Sequence, residues 1–437
     1  MNLPDFNTMQ LDAIDFALDR PSCAWFMPPG MGKTRGYLEV INETGDKTLV
    51  IAPKLICSDT WPREIKKWGY QLSHRFLHGT RKTLTGRLPD ISLINPEAIP
   101  WLAEQLSERR RLPWKFVIYD ELSKMKNIES KRGEAWAPFV PRFSYRLGGT
   151  GTPVGAHLKD LFGEMYCCDY GKSLGTDYSR FLRRYFDENE YTRKLEPYSD
   201  SEAEILKKIR PRAISFDIND LDLPPLAHFP TWLDMPNDVR QFYTRMHDES
   251  MVEELELSAV NAAVRAGKLR QLASGGVIDD KKERKYLHDA KAARLREIVD
   301  EMQGQPIMVF FEFHSDYISI CKMMGYEVPA LYGKTPHKEA QSTITRWNKG
   351  LLPMVALHPR SAGYGLNLQD SGHVIVWYTV PWSYELLHQG IARLWRQGQN
   401  NRVLVYYLLI EDTVDEIVYE RSRERAGLHD RVMEKLL

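Results

Sequence analysis

Short apolar runs alternate with helical and polar segments in two separate parts of the chain. In the first part the runs cover residues 24–27, 48–53, 91–94, 116–119 and 144–147. In the second part they cover residues 307–311, 354–357, 373–377 and 403–408. Continuous apolar strands separated by helices are typical of parallel sheets that are covered on both faces. The pattern therefore predicts an α/β fold with two parallel-sheet domains in tandem.

The segment between these two parts has a different pattern of apolar and polar residues. Residues 158–288 mix aromatic and charged side chains in helical patterns and offer few strand candidates. A chain of 437 residues also exceeds what one hydrophobic core usually supports. We therefore predict a first domain over residues 1–157, a helical insertion or connector over 158–288, and a second domain over 289–437 that closes with a charged helix.

Composition narrows the class of protein only a little. Hydrophobic residues make up 43% and charged residues 27% of the chain, and the formal net charge is zero. A neutral chain has no global attraction for nucleic acid, so any such contact must use local groups or backbone amides. The five cysteines show no zinc-ligand spacing, and no apolar run reaches membrane-spanning length. The amino terminus does not resemble a signal peptide, and we expect a cytoplasmic protein without membrane contact.

The most informative stretch is residues 27–34, Met-Pro-Pro-Gly-Met-Gly-Lys-Thr. It follows an apolar strand and precedes a helical pattern, and Gly30 and Gly32 allow backbone N–H groups to wrap around a phosphate. The amino end of the following helix attracts the same anion. Lys33 can bind the β- and γ-phosphates, and Thr34 can bind Mg²⁺. An ordinary glycine-rich turn would explain the glycines but not the Lys-Thr pair, so we interpret the stretch as a phosphate-binding loop.

Two further groups of residues can contribute to a phosphate-transfer site. Asp120 and Glu121 follow an apolar strand, where a carboxylate can hold Mg²⁺ and its neighbour can activate water. Arg393 and Arg396 are three residues apart and share one face if the segment is helical. Such a pair can be a solvated surface, or it can neutralise a γ-phosphate. The loop around Gly365 has the composition of an ordinary strand–helix turn when it is considered alone.

In their order along the chain, these motifs resemble those of the helicase-like motors of superfamily two, and within them the Snf-type, chromatin-remodeller-like translocases of double-stranded DNA. Residues 6–10 resemble the Q motif, 29–34 motif I, 51–54 motif Ia, 120–127 motif II, 150–153 motif III, 331–336 with 344–348 the second-domain segment, 361–369 motif V and 389–399 motif VI. Motif VI is the most specific match. Ser123 and Trp395 stand where this family has histidines, and the histidine of motif II normally couples the ATP site to motif III.

The resemblance implies two RecA-like domains that close on one ATP and Mg²⁺. It assigns nucleotide contacts to Gln10, Gly30, Met31, Gly32, Lys33, Thr34 and Gly365, and metal contacts to Thr34 and Asp120. It assigns catalysis to Lys33, Asp120, Glu121, Arg393 and Arg396, with the arginines arriving from the second domain. It assigns nucleic-acid contacts to Lys54, Thr150, Gly151, Ser361 and Trp382, although Trp382 also fits a core position.

The expected function is ATP-driven movement on DNA, with duplex DNA favoured. A strand-separating or branch-migrating helicase acting on DNA or RNA is an alternative in the same class. An ATP-switched binding module with little turnover is an alternative of another class, against which the intact motif residues argue. We expect a compact, monomeric bacterial or phage member of the family, with partners from replication, recombination or repair.

Overall fold

The fold is that of a computed structural model, which describes residues 6–155, 157–190, 194–218, 221–254, 259–278, 284–362 and 368–437. Gly365 and most of the motif V loop lie outside the described residues. The chain divides into two compact units. The first contains residues 1–221 and 425–437, and the second contains residues 222–424.

The first unit is built on a parallel sheet. Its strands, with a small hairpin, are β1 (Ser22–Phe26), β2 (Thr48–Ile51), β3 (His74–Phe76), β4 (Ile91–Ile94), β5 (Phe116–Asp120), β6 (Tyr145–Thr150), β7 (Phe186–Glu188), β8 (Leu195–Pro197) and β9 (Ala213–Ser215). The seven-stranded sheet has the order β3-β4-β2-β5-β6-β1-β9, and each neighbouring pair is parallel. Strands β7 and β8 form the antiparallel hairpin.

The helices of the first unit alternate with most of its strands. They are α1 (Thr8–Leu18), α2 (Lys33–Thr44), α3 (Trp61–Lys67), α4 (Ile99–Leu106), α5 (Lys131–Trp136), α6 (Asp160–Asp169), α7 (Tyr178–Tyr185) and α8 (Ser201–Ile209). A π-helical turn, Ile56–Thr60, leads directly into α3. Strands β1, β2, β4 and β5 are buried along their whole length, which matches their continuous apolar sequences.

The second unit contains another parallel sheet. Its strands are β10 (Leu226–Leu233), β11 (Gly276–Ile278), β12 (Arg284–Tyr286), β13 (Ile307–Phe310), β14 (Ala330–Leu331), β15 (Met354–Leu357), β16 (Val374–Trp377) and β17 (Val403–Ile410). The six-stranded sheet has the order β10-β17-β16-β13-β15-β14 and is parallel throughout. Strands β11 and β12 form a separate antiparallel pair.

Helices cover both faces of the second sheet. They are α9 (Asn237–Glu254), α10 (Ala259–Ala273), α11 (Ala290–Glu301), α12 (His314–Met324), α13 (His337–Asn348), α14 (Pro359–Ala362), α15 (Tyr384–Ile391) and α16 (Val414–Leu436). The side chains of β13 alternate between two apolar cores, with Met308 and Phe310 in one and Ile307 and Val309 in the other. Burial on both faces explains why this strand is apolar at every position.

The predicted fold class is confirmed, because the chain forms two parallel sheets in tandem. The predicted insertion differs from the observed arrangement, since residues 158–288 contribute to both sheets. Strand β9 pairs with β1 in the first sheet, and β10 pairs with β17 in the second. The chain passes from the first unit to the second between residues 221 and 222, whereas the predicted boundaries lie at 157 and 288.

The end of α16 belongs to the first unit, although the sequence placed it in the second domain. Val432, Met433 and Leu436 are buried in the apolar core of the first unit. On the surface, the Lys435 ammonium lies 2.6 Å from a carboxylate oxygen of Glu202 in α8. Residues from both ends of the chain therefore build the first unit.

A buried carboxylate, Asp316, lies at the start of α12 in the second unit. Its Oδ2 atom accepts hydrogen bonds from the backbone N–H groups of Glu312 and Phe313, at 3.2 and 3.0 Å, and from the Thr379 hydroxyl at 2.9 Å. Burial raises the pKa of Asp316 to about 6, although these hydrogen bonds and the charge of Lys291 oppose the shift. The folded second unit therefore binds a proton at Asp316 more tightly than the unfolded chain does.

We expect this carboxyl to make the second unit more stable at acid pH than at neutral pH. Because the pKa rises from 3.8 to about 6 on folding, the free energy of unfolding should fall as pH rises from about 4 to about 6. The full difference is about 3 kcal/mol, and above pH 6 this contribution is level. Urea denaturation at a series of pH values should show a weaker pH dependence in Asp316→Asn than in the unchanged chain.

The control for this measurement is Asp300→Asn. Asp300 is exposed on α11 and pairs with Arg296 at 3.3 Å. The control should keep the pH dependence of the unchanged chain. An Asp316→Asn variant with the same dependence as the control would show that Asp316 does not take up the proton.

Candidate nucleotide site

The phosphate-binding loop connects β1 to α2 at the carboxyl edge of the first sheet. Gly30 and Gly32 have φ angles of 92° and 79°, which favour glycine. At Gly32 a Cβ would also lie 2.2 Å from Nε2 of Gln10, so the Gln10 amide would have to shift to admit a larger residue. The Lys33 ammonium donates to the carbonyl oxygens of Met27, at 2.7 Å, and Pro28, at 3.3 Å. Lys33 is thus held over the loop that precedes it.

Gln10 fastens the first helix to the same loop. Its Nε2 atom donates to the carbonyl oxygen of Met31 at 3.2 Å. Its backbone N–H and side chain also form a reciprocal capping box with Asn7, at 2.8 and 3.2 Å. The cap fixes the start of α1, and the helix places Gln10 against the loop. The structure therefore brings together the predicted Q motif and motif I.

Asp120 is the last residue of β5, which is two strands from β1 in the first sheet. It is only 5% exposed, and Nε1 of Trp61 donates to its Oδ2 atom at 2.9 Å. Burial raises the pKa of Asp120, while the Trp61 hydrogen bond and the nearby charge of Lys33 lower it. Asp120 pairs in register with Gly149 of β6, and a Cβ at Gly149 would lie 3.4 Å from Cδ of Lys33, so motifs I and II lie next to each other.

Glu121 begins the segment after β5 with a left-handed backbone, at φ 85°. Its N–H donates to the Gly149 carbonyl at 3.0 Å. Its Oε1 atom accepts hydrogen bonds from the hydroxyls of Ser123, at 3.2 Å, and Thr150, at 3.1 Å. Thr150 in turn accepts the N–H of Thr152 at 3.1 Å. In this chain Glu121 is therefore joined directly to motif III, and Ser123 supports the same oxygen.

Loss of the Ser123 hydroxyl should have a modest effect. Because Thr150 still donates to Glu121, we expect Ser123→Ala to remove one hydrogen bond of about 0.5–1.5 kcal/mol. ATP turnover should then fall by about two- to tenfold, and Ser123→Ala with Thr150→Val should fall further. The measurement is the steady-state rate of ATP hydrolysis.

Ser58→Ala is the matched control for that series. Ser58 is exposed, and its hydroxyl donates to the Leu55 carbonyl at a long 3.4 Å. Its turnover should equal that of the unchanged chain. If the paired Ser123 and Thr150 variants were no slower than the control, these hydroxyls would not support Glu121.

The donor set of this site suits Mg²⁺. Thr34 offers a hydroxyl oxygen at the start of α2, and Asp120 offers a carboxylate at the end of β5. Mg²⁺ prefers such oxygen ligands and takes most of the remaining positions from water and phosphate oxygens. In the part of the chain that the structure describes, no three His, Cys, Asp or Glu side chains gather to hold a metal ion by themselves. Metal binding by Thr34 and Asp120 stays a prediction.

Motif VI in the second unit differs locally from its predicted form. Helix α15 ends at Ile391, so Arg393 and Arg396 lie in the turns that follow it and not on a helical face. Arg393 is 7% exposed, and its N–H donates to the Gly390 carbonyl at 3.1 Å. Nε1 of Trp395, at a family histidine position, donates to the Pro224 carbonyl at 2.9 Å. Trp395 therefore anchors the motif within its own unit.

The predicted nucleic-acid residues have different environments. Lys54 is exposed after β2, and Ser361 is partly exposed in α14. Thr150 and Gly151 are buried, and the Thr150 hydroxyl is used by Glu121, so the structure favours a role in the nucleotide site for Thr150 over the predicted contact. Lys54, Ser361 and Gly151 stay predictions.

Trp382 is partly buried against the apolar core of the second unit. The guanidinium carbons of Arg270 and Arg421 lie 5.9 and 5.5 Å from the centre of a Trp382 ring. At these distances the arginines make cation–π contacts with the indole. The structure thus supports the predicted core role of Trp382, and its contact with nucleic acid stays a prediction.

The sequence did not predict a stack of aromatic side chains next to the phosphate-binding loop. Trp25, Tyr37 and Trp61 are each fully buried and form a stack. The Tyr37 hydroxyl fits against Gly149, where a Cβ would lie only 1.7 Å from it. Burial raises the pKa of Tyr37 well above its ordinary value, and the charges of Asp120 and Glu121 add to this shift. The pair Gly148–Gly149 inside a strand was the available signal, because glycine is unusual there unless another group approaches closely.

Comparison with known proteins places the chain in a family. A model of the SNF2-related domain matches residues 21–277, and a model of the helicase conserved C-terminal domain matches residues 290–398. Among the described residues, no helix combines the length and apolar character needed to cross a membrane.

Curated relatives agree with this match, and one solved structure is also reported for comparison. Protein p41 of the Acyrthosiphon pisum secondary endosymbiont phage 1 is 28% identical, over 93% of both chains. The ISWI chromatin-remodeling complex ATPase ISW2 of Saccharomyces cerevisiae is 24% identical over 93% of this chain, which spans 38% of that protein. The Sulfolobus solfataricus SWI2/SNF2 ATPase core in complex with dsDNA is 21% identical, with a TM-score of 0.46 over 99% of this chain and 93% of that one. Because the SNF2-related model matches more than half of the chain, the chain belongs to the SNF2-related family of helicase-like ATPases.

Proposed function

We propose that this protein hydrolyses ATP and uses the reaction to move along duplex DNA. The observation that carries the proposal is the position of Glu121. It follows Asp120 at the carboxyl edge of the first sheet, and its side chain accepts a hydrogen bond from Thr150 of motif III at 3.1 Å. A movement of Glu121 during ATP hydrolysis can therefore be transmitted to motif III through its hydrogen bond with Thr150.

The proposed roles follow from chemistry and position. Lys33 and the loop amides bind the phosphates. Gln10, which is hydrogen-bonded to the loop at Met31, contacts the nucleotide. Glu121 accepts a proton from the attacking water, or orients it. When bound, Mg²⁺ neutralises phosphate charge, and Thr34 and Asp120 would hold it. Arg393 and Arg396 are proposed to stabilise the charge that develops in the transition state.

We propose DNA as the polymer along which the protein moves, and the support for this choice comes from relatives. Besides ISW2, the chicken DNA repair and recombination protein RAD54B is 32% identical over 27% of this chain. This chain spans 38% of ISW2 and 13% of RAD54B, so the activities of those whole proteins do not transfer directly. Family membership together with these names favours DNA over RNA.

The experiment that tests the proposal compares ATP turnover without polynucleotide and with duplex DNA, single-stranded DNA or RNA. The salt concentration is held constant, because backbone contacts weaken steeply as salt rises. Duplex DNA should give the largest stimulation. Stimulation by RNA alone would overturn the translocase proposal, and bound ATP without turnover would identify a switch module.

A second assay separates movement from unwinding. Displacement of a third strand from a triplex reports movement along a duplex that stays paired, and release of a strand from a forked duplex reports separation. We expect triplex displacement that depends on ATP, with little strand release. Strand release as efficient as triplex displacement would identify an unwinding helicase instead.

A further inference from the structure

Three aromatic rings lie parallel in the first unit, beside the nucleotide site. The ring centres of Trp25 and Tyr37 are 4.9 Å apart, with 9° between the ring planes. The ring centres of Tyr37 and Trp61 are 6.1 Å apart, with 1° between the planes. Trp25 lies in β1, Tyr37 in α2 and Trp61 at the start of α3, so the stack joins three elements of this unit. A ring held in this way has little freedom to rotate or shift.

The last ring of the stack contacts the metal-binding carboxylate. Nε1 of Trp61 donates to Oδ2 of Asp120 at 2.9 Å, and neither side chain is more than 5% exposed. An indole N–H can only donate a hydrogen bond, so this contact favours the ionised form of Asp120 over the protonated form. It also distinguishes the two oxygens of the carboxylate, because only Oδ2 accepts it. Hydrogen bonds to a charged acceptor are stronger than those between neutral groups, and a buried carboxylate is costly without them. The contact therefore restricts rotation of the Asp120 carboxylate.

We propose that Trp61 is a positioning residue for Mg²⁺ binding by Asp120. Its N–H group holds Oδ2 and so orients Oδ1 for the metal, and the stack with Tyr37 and Trp25 holds Trp61. The inference rests on the proposed ATPase function, and it extends that function to a residue 59 positions from Asp120 in the chain. Groups that hydrogen-bond a metal ligand commonly change metal affinity by about 10–100-fold when they are removed.

The chain offers a matched control for this inference. Trp25 is equally buried in the same stack, and within the described residues its Nε1 atom has no hydrogen-bond partner. Trp61→Phe and Trp25→Phe each keep a six-membered ring in the stack and each remove one indole N–H group. Only Trp61→Phe removes a hydrogen bond to Asp120.

The first readout does not depend on turnover. The melting temperature of each variant is measured with ADP and EDTA, and then with ADP and increasing Mg²⁺. In the unchanged chain and in Trp25→Phe, Mg²⁺ should add to the stabilisation by ADP. In Trp61→Phe, the Mg²⁺ concentration that gives half of this added stabilisation should rise by about 10–100-fold. The half-saturating Mg²⁺ concentration for ATP turnover should rise in parallel.

The outcomes separate this inference from the function on which it rests. If Trp61→Phe and Trp25→Phe have the same Mg²⁺ dependence, Trp61 is only a core residue and the inference fails. If the unchanged chain shows neither ATP turnover nor a Mg²⁺-dependent response to ADP, the proposed function fails. Should Trp61→Phe fold poorly, benzothienylalanine at position 61 keeps the shape of indole but replaces N–H by sulfur. The same weakened Mg²⁺ response in that protein would support the inference, and an unchanged response would overturn it.

Discussion

Glu121→Gln is expected to slow ATP turnover by about 10²–10⁴-fold, the usual contribution of a positioned general base. The amide is close in shape to the carboxylate and can still accept hydrogen bonds from Ser123 and Thr150. It cannot take a proton from water, however, so the chemical step should fail while nucleotide binding is retained. The measurement combines the steady-state rate of ATP hydrolysis with the affinity for a fluorescent ATP analogue.

The control for this prediction is Glu129→Gln. Glu129 is exposed, lies in the same segment after β5 and undergoes the same chemical change. Its turnover and its nucleotide affinity should equal those of the unchanged chain. A Glu121→Gln protein with the turnover of the control would exclude Glu121 as the base and would leave the water to be activated by another group.

Gly149→Ala is expected to lower the free energy of unfolding of the first unit by more than about 3 kcal/mol, at or beyond the usual upper range for overpacked cores. A Cβ at this position would lie 1.7 Å from the Tyr37 hydroxyl and 2.9 Å from its Cζ atom. Neither atom can move easily, because the Tyr37 ring is fully buried between Trp25 and Trp61. The added methyl group must therefore shift the stack or β6. Chemical denaturation followed by tryptophan fluorescence measures the loss.

A second substitution tests the cause of this loss. Tyr37→Phe removes the closest atom and leaves the contact at 2.9 Å, so the pair Gly149→Ala with Tyr37→Phe should recover part of the lost stability. Gly267→Ala is the control, because a Cβ there would have no neighbour within 4 Å and α10 favours alanine. Equal losses with and without the Tyr37 hydroxyl would show that the hydroxyl is not the obstacle.

The sheets were predictable where burial makes a strand apolar throughout. Strand β15 was predicted with its observed ends, and β5 and β13 within one residue, because they are buried on both faces. Strand β10 was missed because it is an edge strand with exposed His228, Phe229 and Trp232 and carries a proline. Strands β3, β9 and β14 have only two or three residues each, which is too short for a hydrophobic pattern.

The nucleotide site was predictable to the extent that it is local in sequence. Lys33 and Thr34 follow their glycines directly, and Asp120 and Glu121 follow the apolar strand β5. The contacts of Trp61 with Asp120 and of Tyr37 with Gly149 join residues 59 and 112 positions apart, which no local pattern reports. The hydrogen bond of Trp61 to Asp120 depends on how α3 packs against the sheet.

The return of α16 to the first unit means that synthesis and folding cannot follow the same order. Val432, Met433 and Leu436 complete the core of the first unit, but they are translated after the whole of the second. About 200 residues separate the two pieces, so the ribosome needs about 10–40 s to deliver the second piece at roughly 5–20 residues per second. During that interval the nascent first unit leaves uncovered the apolar surface against which these three side chains pack. The unit that begins the chain is therefore the last to be completed.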